Sequence, residues 1–191
     1  MLEGKNIGIA LTGSFCTIND SINEIDKIKN DGAKVTAIVS EHVRTMDTRF
    51  GKASDIIEKL RSITKREVIS SINQAERVGP DKLFDIMLIA PCTGNTLAKI
   101  ANSIIDTTVT MAAKSHLRNQ RPLVLSIATN DGLGNSAYNI GKIINQKNIY
   151  LVPFGQDDHK NKPNSLVAKT NMIIPTLEKA LEGKQIQPVL M

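Results

Sequence analysis

Short, almost uninterrupted apolar runs alternate along the chain with segments in which apolar residues recur every three or four positions. The runs are Asn6 to Leu11, Val35 to Val39, Ile86 to Ala90, Leu123 to Ala128 and Ile149 to Val152. With so little polar alternation they predict strands buried on both faces, as in a parallel sheet covered by helices. Ile18, Ile22, Ile25 and Ile28 fall on one helical face, with Thr17 and Asp20 as a start signal and Gly32 as a stop. After Asn95, the residues Leu97, Ile100, Ala101, Ile104 and Ile105 repeat at helical spacing; Ile140, Ile143 and Ile144 mark a third helix, and Ile174, Leu177 and Leu181 a fourth. The order reads βαβαβαβαβα. It predicts an α/β fold built on a doubly wound, open parallel sheet of Rossmann-like type, with helices on both faces.

Two polar stretches break the pattern, Glu41 to Ser54 and Phe154 to Ser165, and both read as surface loops. Loops this long inside a compact domain are uncommon unless they serve a ligand or partner. No interdomain linker or internal repeat separates the segments, so one domain over 1–191 is expected. The net charge of +5 comes from 24 basic and 19 acidic residues interspersed along the chain, which points to a small anionic ligand more than to a polyanion. Aromatic residues make up only 3%, too few for base-stacking platforms, so no nucleic-acid partner is expected. No leader-like start and no apolar stretch long enough to cross a bilayer is present, and the expectation is a cytoplasmic protein without a membrane partner.

In a sheet of this kind the ligand crevice lies beyond the carboxyl ends of the strands, where helix N-termini present free N–H groups. Four strand-end turns are selected: Thr12 to Thr17, Ser40 to His42, Pro91 to Thr96, and Thr129 to Gly132. The first and third combine glycine, hydroxyls and a helix start, the composition an oxyanion needs. The plainer reading is that Ser14, Thr17, Thr93 and Asn95 cap their helices. Gly132 to Ala137 formally fits G-x-G-x-x-A, but no acidic residue ends a following strand to hold a ribose. Cys16 and Cys92 stand at strand ends, yet read most simply as small core residues, and His42, His116 and His159 read as surface residues. Lys114, His116, Arg118 and Arg121 cluster in sequence, and Arg44 and Arg49 sit in the loop after the second strand; arginine forks among them suit a carboxylate or phosphate.

The string from Ala90 to Asn102, APCTGNTLAKIAN, is similar to the P-A-S-A-N-T and A-K-I-A-N-G motifs of the flavin-binding cysteine decarboxylases, and the LTGS turn and Asn130 extend the likeness. That resemblance implies a flavoprotein-type fold and FMN bound between subunits of a homo-oligomer. The His that precedes the motif in those decarboxylases has no counterpart between His42 and Pro91, and Ile127, Thr129 and Gly134 replace other motif residues. A closer resemblance runs through LTGSFCT, DTRFG, APCTGNT, MAAKSHLRN, ATNDGLG, NIYLVPFGQDD and KPNSLVA, which look like the family of dipicolinate synthase B subunits. It implies an oxidoreductase that works with the dipicolinate synthase A subunit, which carries NAD(P), and a small dicarboxylate substrate in a sporulating bacterium. On this resemblance Gly13, Ser14, Ser40, Thr93, Gly94, Asn95, Thr96, Thr129 and Asn130 form the FMN cradle, Asn130 faces the reacting ring, and Arg49 and Arg118 grasp substrate carboxylates. The alternatives are an independent FMN-dependent decarboxylase and a cofactor-free structural subunit.

Overall fold

The computed structural model describes residues 1–191. In chain order the strands and helices are β1 (Asn6–Leu11), α1 (Ile18–Asn30), β2 (Lys34–Val39), α2 (Glu41–Thr45), α3 (Ala53–Thr64), α4 (Ile72–Glu76), β3 (Ile86–Cys92), α5 (Gly94–Ala101), α6 (Thr108–Leu117), β4 (Leu123–Thr129), α7 (Ser136–Ile143), β5 (Ile149–Leu151), β6 (Phe154–Gly155), β7 (Leu166–Ala168) and α8 (Ile173–Leu181). All five predicted strands form, and β1 to β5 run parallel in the order 2-1-3-4-5. β3 is buried along its whole length, which is why its sequence shows no polar alternation. The four isoleucines of the α1 stripe are each at most 2% exposed, and each such burial contributes about 1.5–3 kcal/mol.

One apolar core of 47 buried residues includes side chains from both faces of the sheet. α1, α3 and α8 pack together in one helical layer, and α4, α5, α6 and α7 in the other. The sequence predicts a sheet parallel throughout, whereas the observed one is mixed. β4 pairs with β5 through Leu123 to Leu125, and with β7, antiparallel, through Ala128 and Thr129. Three-residue β5 leaves the carboxyl end of β4 uncovered, and the β6–β7 hairpin fills that edge, satisfying backbone groups that burial would otherwise orphan. The loop between β6 and β7 is thereby brought to the carboxyl ends of the parallel strands.

Several local expectations change. Glu41 to Ser54 holds a helical turn, because Ser40 caps α2 by accepting from the Val43 N–H, and α3 begins at Ala53. Phe154 and Gly155 belong to a strand, not a loop. α6 escapes the periodicity because its buried residues are mostly Thr, Ala and Ser, with Val109 and His116 the only larger side chains among them. α5 ends at Ala101; the chain turns through Ser103 at φ 56°, and Ile104 is left 47% exposed. Thr17 does not cap α1. A 3-10 turn over Phe15–Thr17 precedes that helix, and the Thr17 hydroxyl donates back to the Ser14 carbonyl at 3.0 Å.

Candidate functional site

β1 and β3 are neighbours at the point where strand order reverses, the position at which a doubly wound sheet opens a crevice. The turns that leave them are tied by one buried hydroxyl: Thr12 Oγ1 donates to the Pro91 carbonyl at 2.7 Å and accepts from the Thr93 N–H at 3.0 Å. Thr93 caps α5 by accepting the Thr96 N–H at 3.3 Å, and donates its own proton to Thr96 Oγ1 at 3.1 Å. Capping accounts for the third N–H of the helix and leaves those of Gly94 and Asn95 without an intrahelical acceptor. In the β1 turn, Ser14 N–H donates to Thr12 O and Thr17 N–H to Ser14 O, while the N–H groups of Gly13, Phe15 and Cys16 make no hydrogen bond within the chain. Two adjacent turns therefore offer uncommitted donors.

The third turn, after β4, is organised around Asp131. Its carboxylate accepts from Ser136 Oγ at 2.7 Å and Thr129 Oγ1 at 2.8 Å, and these hydroxyls, Ser136 first, hold its pKa below the ordinary carboxylate value. The group is ionised at neutral pH. Gly94 presses against this turn: a Cβ there would lie 2.6 Å from Thr129 Oγ1 and 3.0 Å from Ser136 Oγ. Glycine at the first position of α5 is what lets the β3 and β4 turns close on one another. The G-x-G-x-x-A resemblance has a similar packing origin, since a Cβ on Gly132 would lie 2.6 Å from the Leu166 side chain.

These turns, the segment around Arg49 and the β6–β7 loop enclose an open cleft of about 780 Å³. That volume lies within the usual small-molecule range of about 300–1,000 Å³. Of the predicted residues, Gly13, Ser14, Thr93, Gly94, Asn95, Thr129, Asn130 and Arg49 line it together. Ser40 and Thr96 are buried behind it, one capping α2 and the other bound to Thr93, so they hold the walls without lining the cleft. Arg118 lies elsewhere, at the end of α6, where it borders a separate groove with Lys99 and Lys114. The cleft also contains residues to which the sequence reading gives no individual role: Asp131, inside the selected turn after β4, Asn135 and Ser136, inside the G-x-G-x-x-A string, Asn139 beside them, and Asp157, Lys162 and Ser165 from the β6–β7 loop. The only signal for the last three is the length and polarity of their loop.

No histidine lines the cleft. His116, expected at the surface, is 1% exposed; its Nε2 lies 2.9 Å from the Pro122 carbonyl, and burial pushes its pKa down to about 4. Arg121 of the same cluster is spent on the carbonyls of Phe84 and Lys82. Cys92 is fully buried, which raises its thiol to about 12, whereas Cys16 is exposed and lines the cleft. The Arg49 guanidinium stacks on the Phe50 ring, 4.8 Å from its centroid, and both residues border the cleft.

Residues 1–154 match the family model described as Flavoprotein. The dipicolinate synthase B subunit of Bacillus subtilis (strain 168) is 46% identical over 189 residues, covering 99% of this chain and 94% of the relative. A crystal structure of the dipicolinate synthase B subunit from Bacillus halodurans C superposes with a TM-score of 0.91 at 45% identity, covering 100% of this chain and 97% of the other. The FMN-dependent cysteine decarboxylase SpaF shares the fold, with a TM-score of 0.70 at 15% identity over 96% of this chain and 99% of that one. Sequence and architecture agree over the whole length, and the chain belongs to the Flavoprotein family and, within it, to the family of dipicolinate synthase B subunits.

Proposed function

We propose that this chain works with the A subunit of dipicolinate synthase, oxidising a dihydrodipicolinate-type intermediate to pyridine-2,6-dicarboxylate in the cytoplasm of a sporulating cell. The observation that carries the reading is the convergence of three strand-end turns on one cleft whose first two turns keep free N–H donors. The donor set fits the phosphate of FMN: the amides of Gly13, Phe15 and Cys16, the Ser14 hydroxyl, and the start of α5 at Gly94 and Asn95. FMN, when bound, supplies a two-electron acceptor. Aromatising the substrate ring removes two hydrogens, one with its electron pair and one as a proton. This chain's own residues bind and orient: Asn130, exposed at the cleft edge, hydrogen-bonds the reacting ring, and Arg49 holds one substrate carboxylate. NAD(P) belongs to the A subunit, and copies of this chain associate with one another.

A cofactor-free chain that orients the A subunit is the second reading. It is favoured by Asp131, which puts a negative charge in the cleft and consumes the Thr129 and Ser136 hydroxyls. The decarboxylase reading has no histidine in the cleft to support it. Titrating FMN into the purified chain, with and without the A subunit, while following flavin fluorescence and turnover separates the first two. The first reading expects a fluorescence change on adding FMN, and turnover only in the mixture. Unchanged fluorescence in both titrations removes FMN from the reading, and full turnover by the A subunit on its own makes this chain non-catalytic.

A further inference from the structure

The cleft has only two cationic side chains on its wall, Arg49 and Lys162, and they come from different loops. The substrate class proposed above carries two carboxylates, and the other arginine expected to bind one, Arg118, lies outside the cleft. We infer that Lys162 is the second carboxylate-binding residue of the cleft, so that Arg49 and Lys162 together select a small dicarboxylate over a monocarboxylate; this rests on the dipicolinate synthase reading.

The loop that carries Lys162 holds it in a set place. Gln156 Nε2 donates to Pro163 O at 2.7 Å, the Lys162 N–H donates to Asp158 O at 2.8 Å, and the Ser165 N–H returns to Lys162 O at 3.0 Å. Asn164 O accepts the Leu133 N–H at 3.0 Å, pinning the loop to the turn after β4, and β6 and β7 clamp its ends. These bonds fix the loop backbone from which the Lys162 side chain projects, which reduces the loop-ordering cost of binding. The ammonium group rests on Asp157 Oδ2 at 3.3 Å, and Asp157 also lines the cleft. At that distance the pair is a loose one with its lysine 56% exposed, the kind of contact that contributes little by itself. An incoming carboxylate offers the same chemistry, so Asp157 serves as an internal stand-in that the ligand can displace from the Lys162 ammonium.

Isothermal titration of the chain with pyridine-2,6-dicarboxylate and with pyridine-2-carboxylate tests this, using wild type, Lys162→Gln, Lys162→Arg and Arg49→Gln. A monocarboxylate needs one cation and finds the remaining one in either neutral variant. The diacid needs both, and losing a charge-assisted contact costs it roughly tenfold. The expected result is that Lys162→Gln and Arg49→Gln each weaken the diacid about tenfold and the monoacid less than about twofold, while Lys162→Arg keeps the discrimination. Equal diacid affinity in wild type and Lys162→Gln overturns the inference, as does an equal loss for both acids. If wild type binds neither acid, the inference also fails, and the FMN titration run on the same sample tells whether the cofactor part of the functional reading falls with it.

Discussion

Gly94 and His116 show how much a single residue carries in this protein. Gly94 is the one position of the cleft where a methyl group has nowhere to go, because the Thr129 and Ser136 hydroxyls lie within 3.0 Å of where it would sit and are themselves fixed by Asp131. Gly94→Ala is expected to push α5 away from the β4 turn, destabilising the fold by about 1–3 kcal/mol in a urea titration and weakening whatever anion the cleft holds. His116 is neutral in the fold, with a pKa near 4 against an ordinary 6.5, because burial disfavours the imidazolium. Between those values the unfolded chain binds the extra proton, so stability is complete above about pH 6.5 and is lost as pH falls toward 4, by up to roughly 3 kcal/mol. Urea midpoints across that window check the slope, and His116→Gln is expected to flatten it.

At the level of elements, the decisive feature is the divided edge of β4. Its first half pairs with β5 and its last two residues with β7, so the hairpin that closes the sheet also delivers the Lys162 loop to the cleft. The hairpin is in turn held from outside by the segment Pro188–Met191: the Phe154 N–H donates to Val189 O at 3.0 Å, and the Met191 N–H to Phe154 O at 3.0 Å. Gly155 permits this approach, since a Cβ there would collide with the Met191 carbonyl. Gly155→Ala should eject that segment while β1 to β5 stay intact. Hydrogen exchange is the measurement: protection of the Phe154 and Met191 amides is expected to drop at least about tenfold, with β3 amides unchanged. A variant in which both amides stay protected would show that the segment does not depend on Gly155.

For the whole molecule, the proposed function is that of an assembly, and the test that mixes this chain with the A subunit is made at that scale. Much of the architecture is legible in the sequence: Ile-rich and Val-rich runs with no polar alternation have to be buried on both faces, and the Ile18 to Ile28 stripe has to face a core. Rules for wound sheets then select the strand-end turns, which is how Gly13, Ser14, Thr93, Gly94, Asn95, Thr129 and Asn130 are found near one another. Failures fall where pattern and environment part company. The α5 stripe continues past Ala101 although the chain turns, α6 buries mostly small residues, Thr, Ser and Ala, and His116 looks like a surface residue because nothing local announces the Pro122 carbonyl six residues on. Periodicity is a local property, so the order of residues alone is enough to say which segments become strands and helices and which turns meet at the crevice. Which side chains share the cleft depends instead on contacts between residues far apart along the chain. Arg49 and Lys162 line one cleft while Arg118 does not, and it takes the folded chain to show it, because the antiparallel return of β6 and β7 is set by the unpaired edge of a distant strand.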